Sequence, residues 1–146
     1  MARELHADIL LVEDDPNEVE LVMRALRKSG LEQQVEHVGD GEDALEYIDQ
    51  VEELLAQHAA KRPRLILLDL QLHRIGGLHV LRRLKQDERT RGIPIVAFTS
   101  SKLAIEMVQS YGLGVNSYVI KPDDPKRFAE VVAAIGRYWL EINELP

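Results

Sequence analysis

The sequence contains no cysteine, and aromatic residues make up only 5% of its 146 residues. Without cysteine the chain has no disulfide, no thiolate metal site and no cysteine nucleophile. Its first apolar run, Ile9 to Val12, is interrupted by Glu13 and is far too short for a signal peptide or a membrane span. These absences exclude thiol chemistry and predict a cytoplasmic protein without a membrane partner.

Positive charge is also scarce, because 18 Lys and Arg stand against 25 Asp and Glu, for a formal net charge of −7. This charge disfavours nucleic acid and anionic membrane surfaces, and it suits a divalent cation or a basic partner. The length and the 45% hydrophobic content fit one globular domain. We therefore predict a single domain over 1–146, with a core of about 7–140 and a short C-terminal extension, 141–146.

Five short runs rich in Ile, Leu and Val recur along the chain and predict β-strands. They are Asp8–Val12, Gln34–Val38, Leu65–Asp69, Ile93–Phe98 and Ser117–Ile120. Four are continuously apolar, which is typical of central parallel strands buried on both faces. Gln34–Val38 alternates more and could lie at an edge of the sheet.

Amphipathic helical patterns separate these runs. They cover about Pro16–Ser29, Gly41–His58, Leu78–Asp87, Lys102–Tyr111 and Pro125–Ile142. Because strands alternate with helices, the pattern predicts a parallel sheet covered by helices on both faces.

Local signals mark where several helices begin and end. Asp15 is the predicted N-cap of the first helix, and Glu18 would complete a capping box with it. Gly30 is the predicted C′ residue, which follows the end of this helix. Asp40 and Asp124 are the predicted N-caps of the second and last helices.

Polar residues follow four of the five strands, at the edge where an open parallel sheet binds its ligands. They are Glu13, Asp14 and Asp15 after the first strand, Asp69 at the end of the third, Thr99, Ser100 and Ser101 after the fourth, and Lys121 and Pro122 after the fifth. Taken singly, most of them could be helix caps or solvated loop residues. Together they supply the parts of a site for an ion and a phosphate.

The chemistry of such a site follows from its charges. Carboxylates held close together repel one another unless a cation neutralises them. Mg²⁺ is the natural choice, because it prefers oxygen ligands and is often held by one or two carboxylates plus a phosphate. A carboxylate beside it can attack phosphorus as a covalent nucleophile. Lys121 and the Thr99 hydroxyl would then contact the phosphoryl oxygens.

The set Glu13–Asp14, Asp69, Thr99 and Lys121–Pro122 resembles the receiver domains of two-component response regulators. Thr99 lies 99 − 69 = 30 residues past Asp69, and Lys121 lies 121 − 69 = 52 past it, as in that family. The resemblance covers essentially the whole chain. It implies a doubly wound five-stranded parallel sheet of order 2-1-3-4-5 flanked by five helices, the flavodoxin-like receiver fold.

The resemblance also implies a role for each matching residue. Asp69 would be the phosphoacceptor, and Mg²⁺ would be bound by Glu13, Asp14, Asp69 and the main-chain carbonyl of Gln71. The remaining matches are phosphate-binding residues Thr99, Ser100 and Lys121, switch residues Thr99 and Tyr118, and a cis peptide at Lys121–Pro122. The protein would be a signalling protein that takes its phosphoryl group from a histidine kinase and catalyses its own phosphorylation and dephosphorylation, not a conventional enzyme.

A narrower similarity is to the small response regulators of bacterial phytochromes. It rests on Ile9–Pro16, on the long second helix with its extension to Arg64, and on the ending from Tyr138 to Pro146. It implies a phytochrome-type histidine kinase as partner and frequently a homodimer. The predicted dimer contact comprises Tyr118, Leu140, Ile142 and Leu145, although the last three could instead pack on their own fold. With no further domain after the last helix, output is expected through a partner or the dimer.

Two positions depart from the family pattern. His73 stands where the family commonly has Pro, and Gly76 stands where it has Asp or Asn; we interpret His73 as a solvent-exposed loop residue. These departures leave open an interaction module with a vestigial acceptor site. A phosphatase of the haloacid dehalogenase type would need a second Asp at the position of Gln71, and flavin binding is disfavoured by the acidic first loop.

Overall fold

A computed structural model describes residues 5–146, so the first four residues of the predicted domain lie outside the described part. Strands and helices alternate along the chain. The strands are β1 (Ile9–Val12), β2 (Val35–Val38), β3 (Leu65–Leu68), β4 (Ile95–Thr99) and β5 (Ser117–Ile120). The helices are α1 (Pro16–Lys28), α2 (Gly41–Leu54), α3 (Gly77–Gln86), α4 (Ala104–Gly112) and α5 (Pro125–Arg137). Each lies within a few residues of the range that the sequence pattern predicts.

The five strands form one parallel sheet in the order β2-β1-β3-β4-β5, which confirms the predicted topology. β1 lies between β2 and β3, and Val12 is in register with both Val38 and Leu68. Since parallel strands end at the same edge, the residues that follow β1 and β3 are brought side by side there.

The core has two layers, one on each face of the sheet. Successive strand residues point to opposite faces, so Leu10 and Val12 belong to the layer beneath α2 and α3. Ile9 and Leu11 belong to the layer beneath α1 and α5. All four residues of β1 are buried, as are all four of β3, which explains their unbroken apolar sequence.

The two outer strands differ from the inner ones in burial. β2 is at one edge and largely half-buried, as its alternating sequence indicated. β5 is at the other edge and all four of its residues are half-buried. The prediction that Ser117–Ile120 is buried on both faces is therefore wrong, because β4 is the only strand within residues 5–146 that pairs with it, and solvent reaches its other side.

The predicted helix caps are largely confirmed. The side chains of Asp15, Asp40 and Asp124 each accept a hydrogen bond from a backbone N–H in the first turn of α1, α2 and α5. Gly30 has φ +76° just past α1, where a side chain would be strained, and its N–H donates to the carbonyl of Arg27.

The capping box predicted for Glu18 is absent. The backbone N–H of Asp15, which Glu18 would have accepted, donates instead to Oε2 of Glu13 at 3.2 Å. The carboxylate of Glu18 contacts Lys121. A distant ammonium has thus replaced a local backbone partner, because a charge-assisted hydrogen bond is stronger than one to a neutral N–H.

The Lys121–Pro122 peptide bond is trans, since residues 5–146 contain no cis peptide bond. The predicted cis bond is wrong. A bond before proline intrinsically prefers trans by about 0.5–1 kcal/mol, and the contacts of the Lys121 ammonium are all made with this bond trans.

The C-terminal end folds back on the domain. α5 ends at Arg137, and a π-helical turn, Tyr138–Ile142, continues it. Leu140 is buried in the layer shared by α1 and α5, so the alternative that it packs on its own fold is correct and it is not available as a dimer contact. Ile142 and Leu145 remain exposed. No helix within residues 5–146 has the length and apolar character needed to cross a membrane.

Candidate functional site at the carboxyl edge of the sheet

Three carboxylates converge where β1 and β3 end. The strand pairing continues one residue past each strand, because the N–H of Glu13 donates to Val38 and that of Asp69 donates to Val12. One carboxylate oxygen from each of Glu13, Asp14 and Asp69 lies within 4.8 Å of the others. The fold therefore assembles a cluster of oxygen ligands from residues 13, 14 and 69.

Glu13 is held almost entirely inside the protein, with only 2% of its surface exposed. Its Oε2 accepts from the backbone N–H groups of Asp14 at 3.0 Å and Asp15 at 3.2 Å. Its carbonyl oxygen lies 2.8 Å from Nε2 of His37 on the neighbouring strand, so the tautomer protonated there would donate to it. These contacts fix the loop between β1 and α1.

Lys121 enters the same cluster from the end of β5. Its ammonium lies 2.6 Å from Oε1 of Glu13 and 3.3 Å from Oδ2 of Asp69, and it also contacts Oε2 of Glu18. Its backbone N–H donates to the carbonyl of Thr99 at 2.8 Å, which ties β5 to β4 at this edge. One buried cation thus bridges three carboxylates from three elements.

Burial and pairing shift the ionisation of this group in opposite senses. Burial acts to lower the pKa of Lys121, but the hydrogen bonds with Glu13 and Glu18 and the charge of Asp69 outweigh it, so the net pKa is raised. Burial, together with the proximity of Glu18, raises the pKa of Glu13 to about 8. For Glu13, burial is the largest effect, and the hydrogen bond and charge of Lys121 oppose it without cancelling it.

His73 contacts the least buried of the three clustered carboxylates. Its side chain is 89% exposed, as predicted, yet its backbone N–H donates to Oδ2 of Asp14 at 2.9 Å and its Nδ1 contacts the same oxygen. Burial acts to raise the pKa of Asp14, but these hydrogen bonds outweigh it and lower the pKa overall. Nothing in the sequence signalled this contact between residues 59 positions apart.

The loop after β3 is shaped by a close backbone approach. The N–H of Gln71 donates to Oδ1 of Asp69 at 3.0 Å, which holds that carboxylate. Gly77 begins α3 against the same loop, and its N–H donates to the carbonyl of Leu70. A Cβ on Gly77 would lie 2.5 Å from Cα of Leu70 and closer still to the carbonyl oxygen of Asp69. Only glycine fits here.

The residues after β4 link the cluster to the aromatic residue of β5. Thr99 is fully buried, and its hydroxyl oxygen accepts from the N–H of Ser101 at 3.3 Å. The hydroxyl of Tyr118 donates to the carbonyl of Ser101 at 3.1 Å. Burial raises the pKa of Tyr118 above its ordinary value. Ser100 is exposed at the rim.

These side chains surround an open cavity of about 400 Å³. It is lined by Glu13, Asp14, Asp15, Pro16, Glu18, Asp69, Gln71, His73, Ser100 and Lys121. Every predicted metal ligand lines it, together with Ser100 and Lys121. Thr99 and Tyr118 are not among the residues that line it. Glu18 also lines the cavity, although the sequence pattern predicted that it would complete a capping box at the start of α1.

The family model of the response regulator receiver domain matches residues 9–133 of this chain. The chain belongs to the response regulator receiver family. The match spans all five strands and ends within α5, so it includes every strand end that contributes to the cavity.

Several known proteins are similar to this chain over most of their own length. The chain is 38% identical to the probable methanogenesis regulatory protein FilR2 of Methanothrix harundinacea, over 94% of this chain and 86% of that protein. It is 36% identical to the response regulator Rcp1 of Synechocystis, over 94% and 92%. The Mn²⁺-bound structure of Rcp1 superposes with a TM-score of 0.83, over 94% of this chain and 97% of that one.

A second solved relative is the phosphorylated cyanobacterial phytochrome response regulator RcpA, with 35% identity and a TM-score of 0.85 over 97% of this chain and 99% of that one. The predicted similarity to phytochrome response regulators is therefore confirmed. The protein is a receiver-domain response regulator homologous to Rcp1 and RcpA, and a phosphoacceptor role is consistent with this membership.

Proposed function

We propose that Asp69 is the phosphoacceptor of this receiver and that Mg²⁺ is held beside it by Glu13, Asp14, Asp69 and the main-chain carbonyl of Gln71. The observation that carries the proposal is the position of the Lys121 ammonium, which lies in a buried cluster 3.3 Å from Oδ2 of Asp69. A buried cation at that distance is placed to contact a group bonded to Asp69.

The donor set of the cavity suits a small divalent cation. Its three clustered ligand oxygens belong to carboxylates, and Mg²⁺ prefers oxygen ligands and few protein carboxylates at a phosphate site. The carboxylates of Glu13, Asp14, Glu18 and Asp69 line the same cavity as the single ammonium of Lys121, so their formal negative charge exceeds what Lys121 alone compensates. When bound, the cation would neutralise charge on the transferring phosphoryl group.

The chain's own residues account for the rest of the transfer. A carboxylate oxygen of Asp69 attacks the phosphorus, a new P–O bond forms, and the bond between phosphorus and the donor's leaving group breaks. The leaving group, which is the imidazole of a phosphohistidine, keeps the electron pair. Lys121 and the hydroxyl of Thr99 bind phosphoryl oxygens, and Ser100 lies at the rim to contribute a further hydrogen bond.

The direct test is intact-mass analysis after incubation with acetyl phosphate, with and without Mg²⁺. We expect one phosphoryl adduct on the wild-type protein when Mg²⁺ is present and none on Asp69→Asn, which keeps the shape of the side chain. Asp87→Asn is the matched control, because Asp87 pairs with Arg89 away from the cavity. No adduct under any condition would contradict the proposal and favour an interaction module with a vestigial acceptor site.

We propose that Thr99 and Tyr118 form the switch that reads the phosphoryl group. Movement of Thr99 toward the phosphate would alter its bond with the N–H of Ser101, whose carbonyl holds Tyr118. The preference of the phosphorylated site for one arrangement would then shift the population of the face formed by α4, β5 and α5.

Tyr118→Ala is expected to keep phosphoryl uptake near the wild-type rate while removing the response of α4. The reason is that Tyr118 is not among the residues that line the cavity, and its hydroxyl donates to the carbonyl of Ser101. Hydrogen exchange of α4, measured with and without acetyl phosphate, reports the response. Tyr138→Ala removes an exposed tyrosine of the C-terminal turn and serves as the control. Lost uptake in Tyr118→Ala would count against the switch.

We further propose a histidine kinase of the phytochrome type as donor, because the solved relative RcpA is a phytochrome response regulator. We propose a cytoplasmic signalling protein formed by one domain over 1–146 that catalyses its own phosphorylation and dephosphorylation and binds neither nucleic acid nor membrane.

We also propose a homodimer. Its contact would use Ile142 and Leu145, which are exposed, together with Tyr118. Sedimentation as a monomer at tens of micromolar would contradict the dimer.

A further inference from the structure

We infer that Glu18 is a positioning residue that competes with the incoming phosphoryl group for Lys121 and so limits the rate of phosphorylation. The inference rests on the proposed function, in which Lys121 binds a phosphoryl oxygen. It assigns a role to a glutamate of the first turn of α1 that precedes Lys121 by 103 residues.

The hydrogen-bond capacity of Lys121 is fully used before any phosphoryl group arrives. An ammonium has three N–H donors, and this one has three carboxylate partners, Glu13, Glu18 and Asp69. The side chain of Lys121 is only 5% exposed, so water is a poor substitute for a lost partner. A phosphoryl oxygen can bind this ammonium only by displacing one of the three.

Glu18 is the partner that can leave. The side chain of Glu13 is 3% exposed and accepts two backbone N–H groups, so its displacement would strand a buried carboxylate. Asp69 becomes the phosphorylated residue itself. The side chain of Glu18 is 27% exposed and lines the mouth of the cavity, where water can solvate it after it turns away.

The local structure leaves Glu18 without the capping role that its position in the first turn of α1 would give it. A glutamate in the first helical turn after an N-cap ordinarily accepts the N–H of the capping residue. Here the N–H of Asp15 is taken by Oε2 of Glu13. The carboxylate of Glu18 is thereby free to reach across from α1 to β5 and contact Lys121.

Charge counting points the same way. With a divalent cation bound, the carboxylates of Glu13, Asp14, Glu18 and Asp69 and the ammonium of Lys121 sum to a formal charge of about −1. Replacing the charge of Asp69 by a phosphoryl dianion makes the sum about −2. Glu18 supplies one of these negative charges without binding the phosphoryl group, so it opposes the phosphorylated state.

The test compares Glu18→Gln with Glu20→Gln. Both variants remove one negative charge from α1, but Glu20 is exposed and pairs with Arg24 at 3.7 Å. With acetyl phosphate and Mg²⁺, we expect Glu18→Gln to raise the rate constant of adduct formation by about three- to tenfold, and Glu20→Gln to leave it unchanged. In a Lys121→Met background, Glu18→Gln should no longer accelerate uptake, because no ammonium remains to be released.

A second measurement does not depend on phosphorylation. In the metal-free protein, the ¹⁵N-detected signal of the Lys121 ammonium should shift in Glu18→Gln and not in Glu20→Gln. Equal uptake rates for the two variants, with wild-type uptake intact, would overturn the inference and leave the proposed function standing. Acceleration that persists in the Lys121→Met background would overturn it as well. Failure of the wild-type protein to take up any phosphoryl group would overturn both.

Discussion

Gly77→Ala is expected to destabilise the protein strongly and to disable phosphoryl uptake. The new Cβ would lie 2.5 Å from Cα of Leu70 and closer to the carbonyl oxygen of Asp69. Both obstacles are backbone atoms, so no side-chain rotation relieves the clash, and α3 has to move away from the end of β3. Overpacking of this kind costs about 1–3 kcal/mol and occasionally more.

The matched control for this prediction is the neighbouring glycine. Gly76 has an ordinary φ of −67°, and a Cβ there would meet nothing within 4 Å. Gly76→Ala should therefore keep the wild-type thermal midpoint, whereas Gly77→Ala should lose roughly 2–4 °C for each kcal/mol of destabilisation. A wild-type thermal midpoint and normal phosphoryl uptake in Gly77→Ala would contradict the prediction. They would show that the loop after β3 can move away from the new Cβ at little cost in stability.

In the metal-free protein, the free energy of unfolding is expected to fall as the pH rises from about 5 to about 8. The cause is Glu13, whose pKa is raised by burial from 4.5 to about 8 in the folded protein. Between these values the unfolded chain has lost the proton that the folded chain keeps. Unfolding therefore releases a proton, and alkaline conditions favour the unfolded state.

The other shifted carboxyl groups of the site act in a different pH window. The pKa values of Asp14 and Glu18 are lowered in the folded protein, where hydrogen bonds from His73 and contacts with Glu13 and Lys121, respectively, outweigh the opposing effect of burial. Their contribution is present above their usual pKa values and is lost only as the pH falls below them. The trend between pH 5 and 8 thus belongs mainly to Glu13.

Urea unfolding in EDTA at several pH values tests this prediction. We expect a decline approaching about 1.4 kcal/mol per pH unit at its steepest, and a much flatter profile for Glu13→Gln. Because the two proteins differ only at residue 13, the difference between their slopes measures the contribution of Glu13. Saturating Mg²⁺ should flatten the wild-type profile, because the cation replaces the proton in neutralising the cluster. Identical slopes in the two proteins would contradict the assignment to Glu13.

The amino-acid sequence by itself determined the order of the elements, the parallel sheet and the edge at which the polar residues collect. These features depend on local signals: unbroken apolar runs for β1 and β3, and side-chain caps at Asp15, Asp40 and Asp124, all of which the structure confirms. Each signal is read from a few neighbouring residues, and the right-handed crossover rule then leaves few topologies to choose from.

Only the tertiary structure decided which partner each polar side chain takes. Glu18 has the spacing of a capping box but contacts Lys121, and His73 is exposed as expected yet contacts Asp14. Leu140, predicted as a dimer contact, is buried in its own core. In each of these cases, a partner nearby in the sequence competes with a partner that the fold brings from far along the chain. Their energies depend on burial and on the positions of other charges, and neither quantity exists until the sheet has formed.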